Sequence, residues 1–372
     1  MSDVSATRPL VVVAAGGTGG HLFPAQALST ALVRRGFAVD LATDARATRY
    51  GDDFPAREIH IIPSATFRGR DPVSVARTLS ELGRGTAAAF RLLGRLRPAA
   101  VVGFGGYPTI PPVAAAVLRG IPSIIHEQNG VMGRANRLLA PVVRAIATSF
   151  PGVLERDPRL AAKATHTGNP VREAVTAAAD VSYTAPADTF RLLVFGGSQG
   201  ARIMADVVPA AVALLADDLR ARLMIVQQAR DEDIARVEAD YARINVQATV
   251  APFFPGLPAR MAASHLVISR SGASTVAELA AIGRPAILVP LPHALDHDQR
   301  ANAKALEAAG GAIRIEQDDF TPQRLGQEIA ALADAPQRLS AMSAAARACG
   351  ALDAADRLAD LVGRVAGLSA RR

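Results

Sequence analysis

A histidine directly follows a glycine-rich loop near the start of the chain. The loop is Gly16-Gly17-Thr18-Gly19-Gly20, and His21 is the next residue. Where a glycine loop joins a strand to a helix, backbone N–H groups converge on phosphate, assisted by the positive end of the helix dipole. Histidine changes its charge near neutral pH, which suits removal of a proton from a hydroxyl group. We therefore interpret His21 as a candidate general base, with simple packing at the start of a helix as the alternative.

A second glycine loop, Gly196-Gly197-Ser198-Gln199-Gly200, begins 180 residues after the first. The two loops form a weak internal repeat, and at equivalent points of two similar halves they predict a ligand that carries phosphate. Neither loop is a dinucleotide-binding fingerprint, because Leu22 occupies the third glycine position, and neither is a Walker motif, because no lysine follows. A nicotinamide-dependent enzyme is therefore disfavoured, although Asp40 stands where a ribose-binding acid would.

Polar side chains in the second half of the chain suit a nucleotide and a sugar. Glu278 could accept both hydroxyls of a ribose, or it could close a helix N-terminus as the last residue of the capping box Thr275-Val276-Ala277-Glu278. Gln299 and Asn302 share one face at the start of a predicted helix, where paired amides suit sugar hydroxyls or simply face solvent. Sequence position leaves both pairs of alternatives open.

Two histidines, His293 and His297, have the i, i+4 spacing of a metal site and are flanked by acidic residues. They follow Pro290 in a predicted loop rather than on a helix, and no third ligand is obvious. A metal site is therefore disfavoured, and we expect neither a metal nor a cofactor.

Short β-branched runs alternate with alanine-rich helical stretches, which indicates βαβ units and parallel sheets. Helices are predicted to begin near Pro24, Ala201 and Asp298, and Gly36 and Gly283 should end two of the chain's helices. The predicted strands are Leu10–Ala15, Phe37–Thr43, Val101–Phe104, Ser123–His126, Arg191–Phe195, Leu266–Ser269 and Ala286–Val289. The expected fold class is α/β, with two doubly wound parallel-sheet domains facing a central cleft and ligands at the carboxyl ends of the strands.

The alternating pattern breaks at Gly168-Asn169-Pro170-Val171-Arg172, after which a polar stretch runs to about Asp188. We therefore predict an N-terminal domain over residues 1–170 and a C-terminal domain over residues 171–345. A final helix within residues 346–372 is expected to pack back towards the N-terminal domain.

The composition limits the classes of protein to which the chain can belong. The 372 residues are 50% apolar, which is enough for two domains with sizeable cores. Cys349 is the single cysteine, so a disulfide framework is impossible and a reducing cytoplasm fits. We find no signal peptide and no run of the roughly 18–20 apolar residues that span a bilayer. The net charge of +7 comes almost wholly from arginine, but only 4% of residues are aromatic, so nucleic-acid binding is disfavoured.

Basic residues cluster in one stretch of the N-terminal half. Residues 67–97 contain seven arginines, which are Arg68, Arg70, Arg77, Arg84, Arg91, Arg95 and Arg97. Apolar residues between them predict an amphipathic helix. Its basic side could face solvent, or it could dock onto an anionic membrane surface.

Six segments together closely resemble the MurG family of GT-B glycosyltransferases, in order and over nearly the whole chain. They are Gly16–His21, His126–Gly130, Gly168–Arg172, Gly196–Ala201, Arg270–Ala273 and Gln299–Asn302. The resemblance implies inverting transfer of N-acetylglucosamine from UDP-GlcNAc to the 4-hydroxyl of undecaprenyl-diphospho-N-acetylmuramoyl-pentapeptide. That reaction converts lipid I to lipid II in peptidoglycan synthesis and releases UDP.

The resemblance also implies roles for particular residues. Donor contacts fall to Arg172, Ser198, Ala273, Thr275, Glu278, Gln299 and Asn302, with Phe254 near the uracil, while Thr18, Gly19, Gly20 and Asn129 bridge the acceptor side to the sugar. His21 is the candidate base, and Glu127 is a less favoured catalytic partner. Asp298 stands where the family often has a glutamine, so its role is open.

The partners implied are UDP-GlcNAc, the lipid I acceptor and an anionic membrane surface, with the enzyme peripheral on the cytoplasmic face of the membrane. Two other interpretations remain. One is a GT-B transferase with a different acceptor, and the other is a nucleotide-sugar-binding protein without catalysis.

Overall fold

The computed structural model describes residues 8–16, 19–45, 54–65, 71–197, 200–292 and 298–368. The chain divides into two compact units. Unit 1 comprises Met1–Arg172 together with Asp353–Arg372, and unit 2 comprises Glu173–Leu352.

Each unit is built on one sheet. The described residues of unit 1 form a sheet in the order β3-β2-β1-β4-β5-β6-β7, and those of unit 2 form a sheet in the order β10-β9-β8-β11-β12-β13. The strands are β1 (Leu10–Ala14), β2 (Ala38–Thr43), β3 (Ile59–Ile61), β4 (Ala100–Gly103), β5 (Ser123–Glu127), β6 (Ala145–Thr148), β7 (Ala164–His166), β8 (Phe190–Phe195), β9 (Leu223–Gln228), β10 (Gln247–Ala251), β11 (Leu266–Ser269), β12 (Ala286–Leu288) and β13 (Ala312–Arg314).

Helices connect and cover these strands. They are α1 (Gly19–Arg34), α2 (Pro72–Leu96), α3 (Ile110–Leu118), α4 (Arg134–Leu139), α5 (Pro158–Ala161), α6 (Glu173–Ala179), α7 (Arg202–Ala213), α8 (Asp217–Arg222), α9 (Ile234–Arg243), α10 (Leu257–Ala263), α11 (Ala273–Ile282), α12 (Asp298–Ala308), α13 (Pro322–Ala333), α14 (Pro336–Ala348) and α15 (Ala354–Val365). Across the described ranges, no helix has both the length and the apolar character needed to cross a membrane.

All neighbouring strands pair in parallel in both sheets. Their central strands are continuous apolar runs, as expected for parallel sheets with both faces covered. The predicted α/β class with two doubly wound parallel-sheet domains is therefore confirmed. Each predicted strand is present and its ends differ from the prediction by at most one residue.

The start of the first helix differs from the prediction. It begins at Gly19, so Pro24 lies inside the helix rather than at its start. Proline has no N–H, so Pro24 cannot donate to the carbonyl of Gly20 one turn earlier, but the helix tolerates this loss near its N-terminus. As a consequence, His21 belongs to the first helical turn.

The final helix, α15, packs in unit 1. Leu358 and Val362 of α15 share a hydrophobic core with Leu28 and Leu32 of α1. Arg35 at the end of α1 also forms salt bridges with α15, at 3.2 Å to Asp356 and 2.6 Å to Asp360. The chain thus completes unit 2 before its last helix joins unit 1.

The order of the strands determines where ligands bind in such sheets. In unit 1 the chain reverses its direction of progress across the sheet between β1 and β4, and in unit 2 it does so between β8 and β11. In doubly wound sheets ligands bind at this switch point, beyond the carboxyl ends of the strands. The described first residues of the predicted glycine loops, Gly16 and Gly196–Gly197, follow β1 and β8 and therefore lie at a switch point.

Candidate functional site

His21 packs against the loop that follows β4. A Cβ atom at Gly106 would lie 3.3 Å from Cδ2 of the His21 ring, and one at Gly105 would lie 3.5 Å from its Cε1. Both glycines have positive φ angles, 75° at Gly106 and 79° at Gly105, where other residues would be strained. This glycine pair therefore lets the imidazole ring lie directly on the backbone at the switch point of unit 1.

The ring of His21 is held by Gln128, which sequence analysis had not selected. Nδ1 of His21 lies 3.2 Å from Oε1 of Gln128. Nε2 of Gln128 lies 3.0 Å from both Nδ1 and the carbonyl oxygen of His126, and Nε2 of His126 lies 3.1 Å from the carbonyl oxygen of Gly168. The sequence signal that could have identified Gln128 was the two-residue period of a strand, since His126 and Gln128 point to the same side and Glu127 to the other.

Glu127 has four hydrogen-bond donors around its buried carboxylate. Oε1 accepts from the backbone N–H of Asn129 at 3.0 Å and from its side-chain amide at 3.2 Å. Oε2 accepts from the N–H of Gly133 at 3.0 Å and from the side chain of Asn136 at 2.8 Å. A carboxylate offers about four acceptor positions, so all of them are in use. This arrangement favours a structural role for Glu127 and involves Asn129 in the same turn.

The first turn of α1 also receives Arg172. The guanidinium carbon of Arg172 lies 3.8 Å from the centre of the Phe23 ring, a cation–π contact. A Cβ atom at Gly19 would lie 3.0 Å from the same ring, whereas one at Gly20 would meet nothing within 4 Å. A side chain at Gly19 would therefore crowd the Phe23 ring, whereas the space beside Gly20 is open.

Asn169 is a further residue of interest that only the structure identifies. It is 6% exposed, and among the described residues neither its Oδ1 nor its Nδ2 has a hydrogen-bond partner. A buried polar group without a partner costs about 1–3 kcal/mol, so such groups are normally completed by a ligand or water. Asn169 directly follows Gly168, the carbonyl of which anchors His126.

In unit 2, the structure excludes the capping-box interpretation of Glu278. Helix α11 begins at Ala273 after the N-cap residue Gly272, so Thr275 already lies in the first turn and Glu278 in the second. Thr275 therefore cannot be the N-cap residue that this interpretation requires. Glu278 is 7% exposed, so it is buried within the second turn of α11.

The start of α12 is tied to that turn. Oε1 of Gln299 accepts from the N–H of Leu291 at 3.1 Å, and the Oγ of Ser271 donates to the carbonyl of Gln299 at 2.8 Å. Asn302 is fully buried and donates from Nδ2 to the carbonyl of Ser271 at 3.2 Å, so the alternative of a solvated Asn302 is wrong. Asp298 accepts from the N–H of Gln299 at 2.7 Å, which is a favourable place for an acid at a helix N-terminus.

Arg270, at the end of β11, holds the loop that follows β12. Its Nη1 donates to the carbonyls of Val289 and Pro290, both at 3.1 Å, and its Nη2 donates to Oε1 of Gln317 at 2.5 Å. Burial lowers the pKa of Arg270. This buried cation therefore fixes the backbone just before Leu291, which in turn orients Gln299.

Two adjacent phenylalanines follow β10. Phe254 is 7% exposed, and the guanidinium carbon of Arg260 lies 4.7 Å from the centre of its ring. Phe253 is 73% exposed. The remaining predicted site residues, which are Thr18, Ser198, His293 and His297, lie outside the described residues.

A cluster of possible metal ligands, Asp40, Glu58 and His60, lies at β2 and β3. Asp40 is fully buried, and its carboxylate accepts from Arg57 at 3.0 and 2.9 Å and contacts Nε2 of His60 at 2.9 Å. Burial raises the pKa of Asp40, but the hydrogen bonds from Arg57 and His60 outweigh it and leave the pKa below its usual value. The positive Arg57 guanidinium disfavours binding of a metal cation at the Asp40 carboxylate. Because that carboxylate already accepts hydrogen bonds from Arg57 and contacts His60, its oxygens are not available to a ribose.

Comparison with known proteins gives matches in both units. The chain matches the glycosyltransferase family 28 N-terminal domain over residues 11–148 and the glycosyltransferase family 28 C-terminal domain over residues 191–358. The two matches together cover most of the chain.

Curated relatives align over nearly their whole length and are named UDP-N-acetylglucosamine--N-acetylmuramyl-(pentapeptide) pyrophosphoryl-undecaprenol N-acetylglucosamine transferase. The relative from Rhodopseudomonas palustris (strain BisB18) is 63% identical, and the alignment covers 98% of this chain and 97% of that protein. The relative from Bradyrhizobium sp. (strain BTAi1 / ATCC BAA-1182) is 60% identical, with 98% and 100% covered. The crystal structure of Acinetobacter baumannii MurG superposes with a TM-score of 0.78 at 31% identity, covering 96% of this chain and 99% of that one.

The buried imidazole of His126 makes stability depend on pH. Burial lowers the pKa of His126 to about 4, from 6.5 for an ordinary histidine. Its contribution to folding is therefore fully present above about pH 6.5 and is lost as the pH falls towards about 4, because the unfolded chain takes up the proton first. At about pH 5 we expect a loss of about 2 kcal/mol in the free energy of unfolding from this residue.

Urea unfolding of the His126→Gln variant at about pH 7.5 and pH 5 tests this prediction. Glutamine can still donate to the carbonyl of Gly168 but does not titrate, so the variant should lose less stability between the two pH values. The exposed His166→Gln is the matched control and should behave like the parent. An equal loss in the parent and in His126→Gln would contradict the prediction.

Proposed function

The chain belongs to the MurG family within glycosyltransferase family 28, and from that premise we propose that it transfers N-acetylglucosamine from UDP-GlcNAc to a lipid-linked acceptor. The acceptor is the 4-hydroxyl of undecaprenyl-diphospho-N-acetylmuramoyl-pentapeptide, so that lipid I becomes lipid II in peptidoglycan synthesis. The observation that carries this proposal is the 63% identity over 98% of the chain to a relative named for that transfer.

His21 is the base in this proposal. It takes the proton of the acceptor hydroxyl, the hydroxyl oxygen attacks the anomeric carbon, and UDP leaves from the opposite face with the bonding electron pair. The anomeric configuration is therefore inverted. The location of His21 at the switch point of unit 1, and the contact of its Nδ1 with Gln128, support this role because an oriented base is effective. Thr18, Gly19, Gly20 and Asn129 are proposed to bridge the acceptor side to the donor sugar, and Arg172 is proposed to help hold the donor.

Unit 2 binds the donor in this proposal. Glu278 accepts the ribose hydroxyls, and Gln299 contacts the sugar through its amide N–H groups, because its Oε1 already accepts from Leu291. Asn302, being buried against the Ser271 carbonyl, supports Gln299 from behind. Ala273 and Thr275 line the nucleotide.

Two groups at the ends of strands complete the donor site. Ser198 and the backbone N–H groups of its glycine loop stabilise the departing diphosphate, as a helix N-terminus does for anions. Between the two phenylalanines after β10, the exposed ring of Phe253 is better placed to stack on a base than the packed ring of Phe254.

An assay with radiolabelled UDP-GlcNAc and a lipid I analogue tests the function. We expect a labelled lipid product with two sugars and one UDP released per transfer. Donor binding without transfer to this acceptor would favour either a different acceptor or a nucleotide-sugar-binding protein.

Replacement of the base should abolish most of the turnover. We expect His21→Ala to lower kcat by about 10²–10⁴-fold, as loss of a general base does, while UDP still binds. His166→Ala, which removes an exposed histidine of the same unit, is the control and should keep its turnover. Unchanged turnover in His21→Ala would assign His21 to packing alone.

Glu278→Gln should weaken donor binding. An amide offers one acceptor oxygen and no charge to the two ribose hydroxyls, and a charged hydrogen bond contributes about 1.5–3 kcal/mol, so we expect Kd for UDP-GlcNAc to rise about 10–100-fold. Isothermal calorimetry measures this directly, with the exposed Glu238→Gln as the control. The same Kd in Glu278→Gln and the parent would rule out the ribose contact.

We also propose that the enzyme acts as a peripheral protein on the cytoplasmic face of the membrane, with α2 as the docking surface. The helix exposes Arg77, Arg84 and Arg91, spaced seven residues apart on one stripe. A second stripe exposes Leu79 (57% exposed) and Phe90 (37% exposed). The two stripes lie on the two flanks of the exposed side of α2, and basic and apolar side chains on one exposed side are what reversible attachment to an anionic bilayer requires.

The neighbouring helix α3 extends this surface. Leu118, its last residue, is 69% exposed. The next residue, Arg119, has its guanidinium carbon 3.8 Å from the centre of the Phe90 ring. The C-terminal end of α3 therefore lies against α2 at Phe90.

Liposome sedimentation tests the docking surface. Each basic residue near an anionic surface contributes about 1 kcal/mol, so the parent should sediment with anionic but not neutral liposomes at low salt. The variant with Arg77, Arg84 and Arg91 replaced by glutamine should stay in solution and transfer slowly to a membrane-embedded acceptor, but normally to a short-chain soluble one. A control with Arg243, Arg324 and Arg338 of unit 2 replaced by glutamine carries the same charge change and should still sediment. If the α2 variant sediments as efficiently as the parent, the arginine-bearing face of α2 is only a solvated helix face.

A further inference from the structure

We propose that Gln128, held by His126, is a positioning residue that keeps the proton of His21 on Nδ1 and so leaves the lone pair of Nε2 for the acceptor hydroxyl. This inference rests on the proposed function for its catalytic consequence. The arrangement of protons itself follows from the hydrogen bonds of unit 1 alone.

The carbonyl of Gly168 sets the first proton. It lies 3.1 Å from Nε2 of His126, and because a carbonyl only accepts, Nε2 must carry the hydrogen. His126 is fully buried, and burial lowers its pKa to about 4, so the ring is neutral at physiological pH. A neutral imidazole has one N–H, and therefore Nδ1 of His126 is an acceptor.

The orientation of the Gln128 amide follows from His126. One end of this amide lies 3.0 Å from two acceptors, Nδ1 and the carbonyl oxygen of His126. Only an NH2 group can donate to both, so that end is the nitrogen and the other end is the oxygen. Gln128 is 2% exposed, which leaves no solvent to satisfy the reversed orientation.

The proton of His21 is then determined. Its Nδ1 lies 3.2 Å from the Gln128 oxygen, which accepts, so Nδ1 carries the hydrogen and Nε2 carries the lone pair. The Nε2 edge lies against the glycine loop after β4, where a Cβ atom at Gly106 would be 3.4 Å from Nε2. Since glycine has no side chain, residue 106 places no side chain over that edge.

The chemical step uses this arrangement. The proton of the acceptor hydroxyl passes to Nε2, the oxygen forms its bond to the anomeric carbon, and the bond to UDP breaks with its electron pair on the diphosphate. His21 then holds a proton on each nitrogen. The Gln128 oxygen accepts from Nδ1 before and after the transfer, so the ring need not turn during the reaction, and prior orientation of this kind lowers the barrier.

Nitrogen NMR of the full chain with ¹⁵N-labelled histidine tests the proton positions directly. The chain has seven histidines, and difference spectra with His21→Asn and His126→Gln assign the two that matter. We expect His21 to carry its proton on Nδ1 and His126 on Nε2 near pH 7.5. A proton of His21 on Nε2 in the parent would overturn the proposal whatever the enzyme's activity.

Variants of Gln128 test whether the proton position of His21 depends on this residue. Gln128→Met keeps an unbranched chain but loses both polar ends, so the proton of His21 should shift at least partly to Nε2 and kcat should fall about 10–100-fold with KM for UDP-GlcNAc unchanged. Gln128→Glu keeps an acceptor for Nδ1 of His21, so it should preserve the proton position while losing the donor to His126. If both variants keep the proton of His21 on Nδ1, the role of Gln128 is merely structural.

A matched control and a double variant separate positioning from lost stability. Gln227 is a fully buried glutamine of unit 2 that donates to the Met204 carbonyl and accepts from Tyr241, so Gln227→Met removes comparable hydrogen bonds far from His21 in the sequence. It should lower the melting temperature without moving the His21 signals.

Gln128→Met combined with His21→Ala should be no slower than His21→Ala alone, since the positioning residue acts only through the base. A further loss in the double variant would contradict the proposal. If the parent itself fails to transfer GlcNAc, the proposed function fails while the NMR result still decides the proton arrangement.

Discussion

In a parallel sheet covered by helices on both faces, polar side chains gather chiefly at the ends of the strands. In both sheets every pair of neighbouring strands is parallel. The central strands β4 and β11 are buried along their whole length, and β1 is buried along all but its first residue. All the carboxyl ends therefore meet along one edge of each sheet, and that edge is where polar groups from distant parts of the sequence come together. His126–Gln128 at the end of β5 and Ser269–Gly272 at the end of β11 both lie there.

Burial at that edge demands that each polar group find a partner, and the partners fix the loops. The Glu127 carboxylate accepts from four donors and so holds the turn that leads to α4. Arg270 does the same for the loop after β12 by donating to its carbonyls. At the opposite edge of the sheet, just before β12, Arg284 is 1% exposed and donates to carbonyls of Ala262 and Val181, which ties α10 and the segment after α6 to that end of unit 2. These groups act through satisfied hydrogen bonds, and removal of either partner would leave a buried polar group unpaired.

The two units use different chemistry for this purpose, in agreement with their proposed roles. Around His21 the partners are neutral, namely an amide, an imidazole and a carbonyl, so they can determine which nitrogen carries the proton without adding a formal charge. In unit 2, two charged residues are buried, Arg270 directly after β11 and Glu278 in the second turn of α11, and the start of α11 presents backbone N–H groups after Gly272. Such a set suits a ligand that combines negative phosphate with ribose hydroxyls. A base is made effective by correct orientation, whereas an anionic donor is bound by positive charge and N–H groups.

The sequence alone determined the secondary structure and the fold class, because strand and helix patterns depend on residues close together in the chain. Seven of the thirteen strands in the described residues were predicted, each with its ends within one residue, and Gly16 and Gly196 follow β1 and β8 as expected. Local patterns misled where a helix began elsewhere than expected: Thr275-Val276-Ala277-Glu278 matches a capping box, but α11 starts at Ala273, and α1 starts before Pro24.

Only the tertiary structure decided which side chains meet. The contacts of His21 with Gln128, of His126 with Gly168 and of Ser271 with Asn302 join residues 31–107 positions apart, and no local period specifies such pairs. They follow from strand order, because adjacent strand ends in the sheet, rather than adjacent residues in the chain, share the edge where these polar groups must be satisfied.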